Sequence, residues 1–131
     1  MPYIDQDARD RLESNHFHPR TPGELTYLIT QSMLNSTGGH ADLKAEIHKH
    51  VSHYIGVFGH SFGTYNAIMG SLCCAHEEYR RRGGWCATTF KPLKLPEWRL
   101  RPVLDYSVEF YDSVVAPYEE KKIDENGDVY A

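Results

Sequence analysis

A chain of 131 residues with 40% hydrophobic letters and 24% charged ones has the size and composition of one compact domain and leaves little length for a second. Fourteen basic side chains against eighteen acidic ones give a formal net charge of −4, which excludes non-specific nucleic-acid binding by the surface as a whole. No stretch approaches the roughly 18 consecutive apolar residues of a membrane span, and Met1-Pro2-Tyr3-Ile4-Asp5 lacks the basic-then-apolar order of a secretory leader, so a cytoplasmic protein is expected.

Residues 1–20 are polar, with Tyr3, Ile4 and Leu12 as the only anchors, and read as an N-terminal arm or a short helical turn that gains order by docking. Thr21-Pro22-Gly23-Glu24 then starts a helix. Thr21 can cap it, Pro22 suits the first helical position, and Glu24 stands where a capping box closes. Leu25, Leu28, Ile29 and Met33 make one apolar face, and Asn35-Ser36-Thr37-Gly38-Gly39 ends the element. Leu43, Ile47, Val51 and Ile55 recur every four residues, which predicts a second helix from about His40 to Ile55. Gly56 to Gly63, with three glycines, reads as a loop.

A third helix is expected from Thr64 to Arg82, burying Tyr65, Ile68, Met69, Leu72, Cys73 and His76 before Gly83-Gly84 stops it. Residues 83–101 carry Pro92 and Pro96 and break the helical pattern, which predicts an irregular loop or short hairpin. Pro102 can open a fourth helix offering Val103, Leu104, Tyr106, Val108, Phe110, Tyr111, Val114 and Val115 to the core until Pro117 interrupts it. A helical turn over Tyr118 to Ile123 and a polar tail, residues 124–131, complete the chain. The expected fold is therefore all-α, a single domain built as a small bundle of about four helices.

Gly59-His60-Ser61-Phe62-Gly63 matches the G-x-S-x-G pattern that exposes a hydrolase nucleophile on a strand-turn-helix. The triad order that normally follows, acid and then histidine, is missing: His76 is the only histidine after Ser61. The competing reading has Ser61 or Thr64 cap a helix. Asp42, Glu46, His50 and His53 share one helical face, which fits either a metal site or a solvated stripe, and the stripe is favoured because H-E-x-x-H is absent. Asp124, Asn126 and Asp128 imitate the start of a calcium loop, but Val129 takes the place of its glycine. Asn126-Gly127 is better read as turn chemistry. Cys73, Cys74 and Cys86 are odd in number and read as small, reduced core residues. No cofactor or metal is implied.

Charge is unevenly spread. Between residues 80 and 101, Arg80, Arg81, Arg82, Lys91, Lys94, Arg99 and Arg101 face Glu97 alone, with Trp85, Phe90 and Trp98 among them. Guanidinium groups beside aromatic faces hold nucleotides and other anions, so Arg80, Arg81, Arg82, Trp85, Trp98 and Arg99 are the candidate ligand-binding residues. The alternative is that the aromatics pack and the charges stay solvated.

The run from Val114-Val115-Ala116-Pro117-Tyr118-Glu119-Glu120-Lys121-Lys122-Ile123 to Asp124-Glu125-Asn126-Gly127-Asp128-Val129-Tyr130 resembles the ending of a family of short phage and bacterial proteins, a domain of unknown function. Pro2-Tyr3-Ile4, Pro22 to Thr30, and Tyr65 through Arg81 are similar to other parts of that family. In the family, a Glu-Phe-Tyr-Arg-Arg helix end runs straight into the Val-Ala-Pro-Tyr-Glu segment. Here Glu78-Tyr79-Arg80 is separated from Glu109-Phe110-Tyr111, which reads as an insertion at about residues 80–110. The resemblance implies a bacterial or phage-infected cytoplasm and brings no activity with it. The function expected is that of a non-catalytic accessory protein that binds a host or viral protein or an anionic small molecule, or that self-associates. A Ser61 hydrolase and a structural or assembly component are the alternatives.

Overall fold

In a computed structural model of the chain, which describes residues 4–13, 18–82 and 95–127, helices carry the architecture and the described residues contain no strand. The helices are α1 (Gln6–Glu13), α2 (Pro22–Asn35), α3 (His40–Phe58), α4 (Phe62–Arg80), α5 (Leu100–Phe110) and α6 (Ala116–Asn126). Thr21 caps α2 as its sequence requires: its Oγ1 accepts from the Glu24 backbone N–H at 3.1 Å. The Glu24 carboxylate does not complete the capping box. Buried at the start of the helix, it instead accepts from the Arg20 N–H at 3.1 Å and from Arg11, and so docks α1, whose Leu12 is buried. The arm thus contains a real helix, and this ion pair ties it down. No helix among the described residues is long and apolar enough to cross a membrane.

The helices run alternately up and down, but consecutive helices are not all neighbours. α2 packs on both α3 and α4, and α5 closes the ring against α3 and α4, so α3 and α4 stand across a diagonal. Parallel neighbours are the result. His40 bonds Asp105 at 2.8 Å and Lys44 bonds Glu109 at 2.5 Å, the same sequence offset in both pairs, so α3 and α5 run in parallel register. One turn further on, His48 Nδ1 lies 3.0 Å from the Tyr106 hydroxyl. The core inside the ring is formed by Leu25, Ile29 and Met33 of α2, Leu43, Ile47 and Val51 of α3, and Ile68, Leu72, Ala75 and Tyr79 of α4, with α5 closing the fourth side.

The glycine-rich stretch is shorter as a loop than expected. α3 continues through Gly56-Val57-Phe58 and stops at Gly59, whose φ of +77° suits glycine and whose N–H bonds the Ile55 carbonyl. Ser61, not Thr64, caps α4, which places Gly63 inside the helix. At the other tight turn a Cβ on Gly38 would fall 2.3 Å from an Asp42 carboxylate oxygen, so glycine is needed there.

Pro117 does not interrupt the last helix. Its missing N–H and its ring conflict with the carbonyl four residues back, and the chain resolves this by widening to a π turn over Tyr111–Val115, where the Ala116 N–H reaches the Tyr111 carbonyl. The backbone stays helical throughout, so α5, the π turn and α6 form one rod roughly 40 Å long at ~1.5 Å per residue. Residues 124–126 of the expected tail are the end of α6, and Gly127 caps it at φ +82°. The segment 95–101 is likewise not loop throughout: Glu97–Arg99 is a 3₁₀ turn that runs directly into α5. The expected hairpin around residues 83–94 lies outside the described residues, as do Trp85, Cys86, Phe90, Lys91 and Lys94.

Two core assignments are corrected. Cys73 and Cys74 are exposed, because the α4 face that packs inward is Ile68, Leu72, Ala75 and Tyr79, and both cysteines fall off it. On α5, Pro102, Val103, Tyr106 and Phe110 are buried, with Val115 following in the π turn, while Leu104, Val108 and Tyr111 are exposed.

Arg99 fastens the chain where it returns to the bundle. Its guanidinium donates to the carbonyls of Met33 at 3.0 Å, Leu34 at 2.9 Å and Ser36 at 2.8 Å, the orphan acceptors at the end of α2. The Tyr79 hydroxyl donates to the Pro96 carbonyl at 2.5 Å beside it. Replacing Arg99 by alanine strands these acceptors, and unfolding in urea is expected to show a loss of about 2–3 kcal/mol. Arg99→Lys, with a point charge in place of a fork, should recover only part of that.

Candidate functional site

Among the described residues, the arginines singled out in the sequence are engaged with groups of this same chain. Arg80 donates through Nε and Nη2 to Glu77 Oε2 at 3.1 and 2.8 Å. Arg81 bonds both Glu78 oxygens at 2.9 and 3.0 Å, and Arg82 adds Nε to Oε1 at 2.9 Å. Glu78 is buried at the end of α4. Burial raises its pKa, but the hydrogen bonds and charges of Arg81 and Arg82 outweigh that and hold the carboxyl below its usual range. Arg99 is used on α2, as described above, with Trp98 exposed beside it and the guanidinium carbon 5.8 Å from the indole centroid. The structure thus brings Trp98 and Arg99 together, sets Arg80, Arg81 and Arg82 on their own helix, and leaves Trp85 outside the described residues.

Ser61 is engaged as a cap. Its Oγ accepts from the Thr64 N–H at 3.1 Å and lies 3.0 Å from Thr64 Oγ1. The neighbouring His60 turns elsewhere, placing Nδ1 2.5 Å from the Tyr65 hydroxyl. Tyr65 then meets Phe110 and Tyr118 edge-on, with centroids 5.9 and 5.2 Å away, and this aromatic knot joins α4 to the base of α6.

The stripe on α3 divides. Asp42 and Glu46 are exposed, His53 meets His18 with the rings tilted and their centroids 4.2 Å apart, and His50 turns toward α2, where Nε2 lies 2.9 Å from Ser32 Oγ. Among the described residues no three His, Cys, Asp or Glu side chains are grouped so as to hold a metal ion. Burial is the main cause lowering the His50 pKa to about 4, with the charges of Lys49 and His53 adding to it.

The remaining unusual surface is apolar. α5 carries two apolar stripes roughly 130° apart at 100° per residue: Val103, Tyr106 and Phe110 face the core, and Leu104, Val108 and Tyr111 face outward. Val108 is 61% exposed in mid-helix. Further along the rod, α6 buries no residue, and Ile123 is exposed on it. Because α5 runs antiparallel to α4, with Phe110 at the level of Tyr65, the far end of α6 extends beyond the start of α4, where Val57, Phe58 and Phe62 are also exposed. Exposed apolar groups in contiguous stripes mark docking surfaces more often than isolated ones do. Sequence reading missed this face because it assigned all the apolar letters of residues 103–115 to the core. The signal was present: those letters span too wide an arc for a single buried face.

Comparison of the chain with protein-family models, with curated proteins and with solved structures finds no match.

The cap geometry makes Ser61→Ala cost about 1 kcal/mol of stability in a thermal or urea titration, with Ser61→Asp recovering most of it. The burial of neutral His50 sets a pH dependence as well. Its folded pKa lies below the unfolded value near 6.5, so its contribution is intact above about pH 6.5 and is lost as pH falls toward about 4, by up to about 3 kcal/mol. Unfolding free energies measured across that window should flatten in His50→Gln relative to the parent chain.

Proposed function

We propose that this chain is a non-catalytic accessory protein of the phage or bacterial kind that its C-terminal segment resembles, acting in the cytoplasm by docking on another protein. The docking face is the outward side of the α5–α6 rod. One observation carries the reading: Leu104, Val108 and Tyr111 form an exposed apolar stripe on a helix whose opposite side is already seated in the core. Burying such a stripe stabilises a complex without any change in the bundle that presents it.

The other features support the same choice. Ser61 serves as a helix cap with its neighbouring imidazole turned to Tyr65, an arrangement suited to holding the α3–α4 turn. Arg80, Arg81 and Arg82 hold carboxylates of their own helix, and Arg99 holds the end of α2, which favours the protein-binding branch of the expectation over capture of a small anion.

A photo-activated benzophenone side chain placed at position 108 in expressing bacteria tests this. Protein adducts are expected from position 108 and not from position 46, where exposed Glu46 lies on α3. Val108→Glu should leave the unfolding free energy within about 0.5 kcal/mol of the parent, as for a surface position, while suppressing the adducts that form from a label at Leu104. No adduct from position 108 would remove the reading.

A further inference from the structure

We propose that the partner of this face is a second copy of the chain, docked antiparallel along α5 about a two-fold axis that crosses the outward stripe at the level of residues 106 and 107. The inference rests on the protein-docking reading above and names the occupant. What selects a second copy is the charge pattern beside the apolar stripe. Arg101 stands at one end and Asp112 at the other, about three helical turns apart and so on the same edge of the rod. Arg101 is bonded through Nε to Asp105 Oδ1 at 3.1 Å, yet 73% of its side chain remains exposed. Asp112 is exposed as well.

An antiparallel two-fold keeps this edge on the same side of both copies and reverses its order. Arg101 of each chain then meets Asp112 of the other, and the pair is made twice. Leu104, Val108 and Tyr111 lie between these rim pairs and cover their counterparts. A parallel two-fold would instead place the two Arg101–Asp112 edges on opposite sides of the pair, so that neither charge would meet its complement. The remaining charges near the interface are already matched within one chain: Asp105 is held by His40 and Arg101, and Glu109 by Lys44.

The same arrangement gives α6 a neighbour. With the axis at the level of residues 106 and 107, the first turn of α6 in one copy lies beside the Trp98 end of the other, which gives the exposed indole a partner. The α5–α5 overlap extends roughly 20 Å at ~1.5 Å per residue. That is at the small end of specific interfaces, so a dissociation constant on the order of micromolar is expected.

Sedimentation velocity from about 1 to about 500 µM of the full chain reads this directly. The expected result is a concentration-dependent shift from the mass of one chain to that of two. Val108→Glu and, separately, Leu104→Lys should each weaken association at least about tenfold, and circular dichroism should show both variants folded. Arg101→Asp should weaken it by a similar factor, and adding Asp112→Arg to that variant should restore the parent value to within about threefold. A monomer across the whole range overturns the proposal, as does a dimer indifferent to Val108→Glu or a charge reversal without rescue. The cross-link at position 108 separates the two readings. An adduct of twice the chain mass supports the second copy, an adduct with a different protein alongside a monomeric parent overturns the second copy and keeps the docking face, and no adduct removes both.

Discussion

The seam between α2 and α4 is the constraint on which the rest of the bundle depends. Leu25, Ile29 and Met33 meet Ile68, Leu72, Ala75 and Tyr79 with essentially no solvent access, and burial of that much apolar surface is the main favourable term available to a domain of this size. The seam also contains hydroxyls. Thr26 and Thr30 return theirs to the carbonyls one turn back, and Ser71 donates to the Pro22 carbonyl at 3.0 Å, so each buried oxygen is satisfied without a bulky side chain. Small residues let the two helices approach closely. Once α2 is committed to α4, α3 can only stand across the diagonal, and α5 must close the ring beside both.

Most of the charged residues that look functional in the sequence are used to finish this construction. Helix ends leave backbone groups without partners, and four arginine side chains and two buried glutamates gather at the ends of α2 and α4. Glu24 gathers Arg11 and the Arg20 N–H at the start of α2, Arg99 gathers three carbonyls at its end, and Glu78 gathers Arg81 and Arg82 at the end of α4. A basic stretch with tryptophans therefore has a structural role in the described residues before it has any other. The pairs His40–Asp105 and Lys44–Glu109 between α3 and α5 play a comparable part on the outside of the ring, where their common offset fits the parallel register of those helices, and His48 adds a contact to Tyr106.

How much could be read in advance varied with the physics of each element. The Thr21 cap, the Leu25-to-Met33 face and the Leu43-to-Ile55 repeat were legible because cap chemistry and helical periodicity are local. The glycines of the α3–α4 turn misled because only Gly59 has a backbone angle that requires glycine, whereas Gly56 and Gly63 are simply helical. Pro117 misled for a related reason: a π turn relieves its clash, and nothing in the letters distinguishes relief from termination. The candidate site was the least legible. Leu104 and Val108 are as apolar as Val103, and hydrophobicity alone does not say which of two stripes the core will take.

By itself, then, the amino-acid order determined that the chain forms amphipathic helices of particular lengths, that they suit an all-α bundle, and where several of them begin. These follow from interactions among residues a few positions apart. Only the tertiary structure decided which face of α5 is buried, that Cys73 and Cys74 lie outside, that Arg99 clasps the end of α2, and that one continuous rod presents an apolar edge to solvent. Each of those outcomes depends on which distant helix arrives as a neighbour, and burial is a property of that meeting and not of the residue that undergoes it.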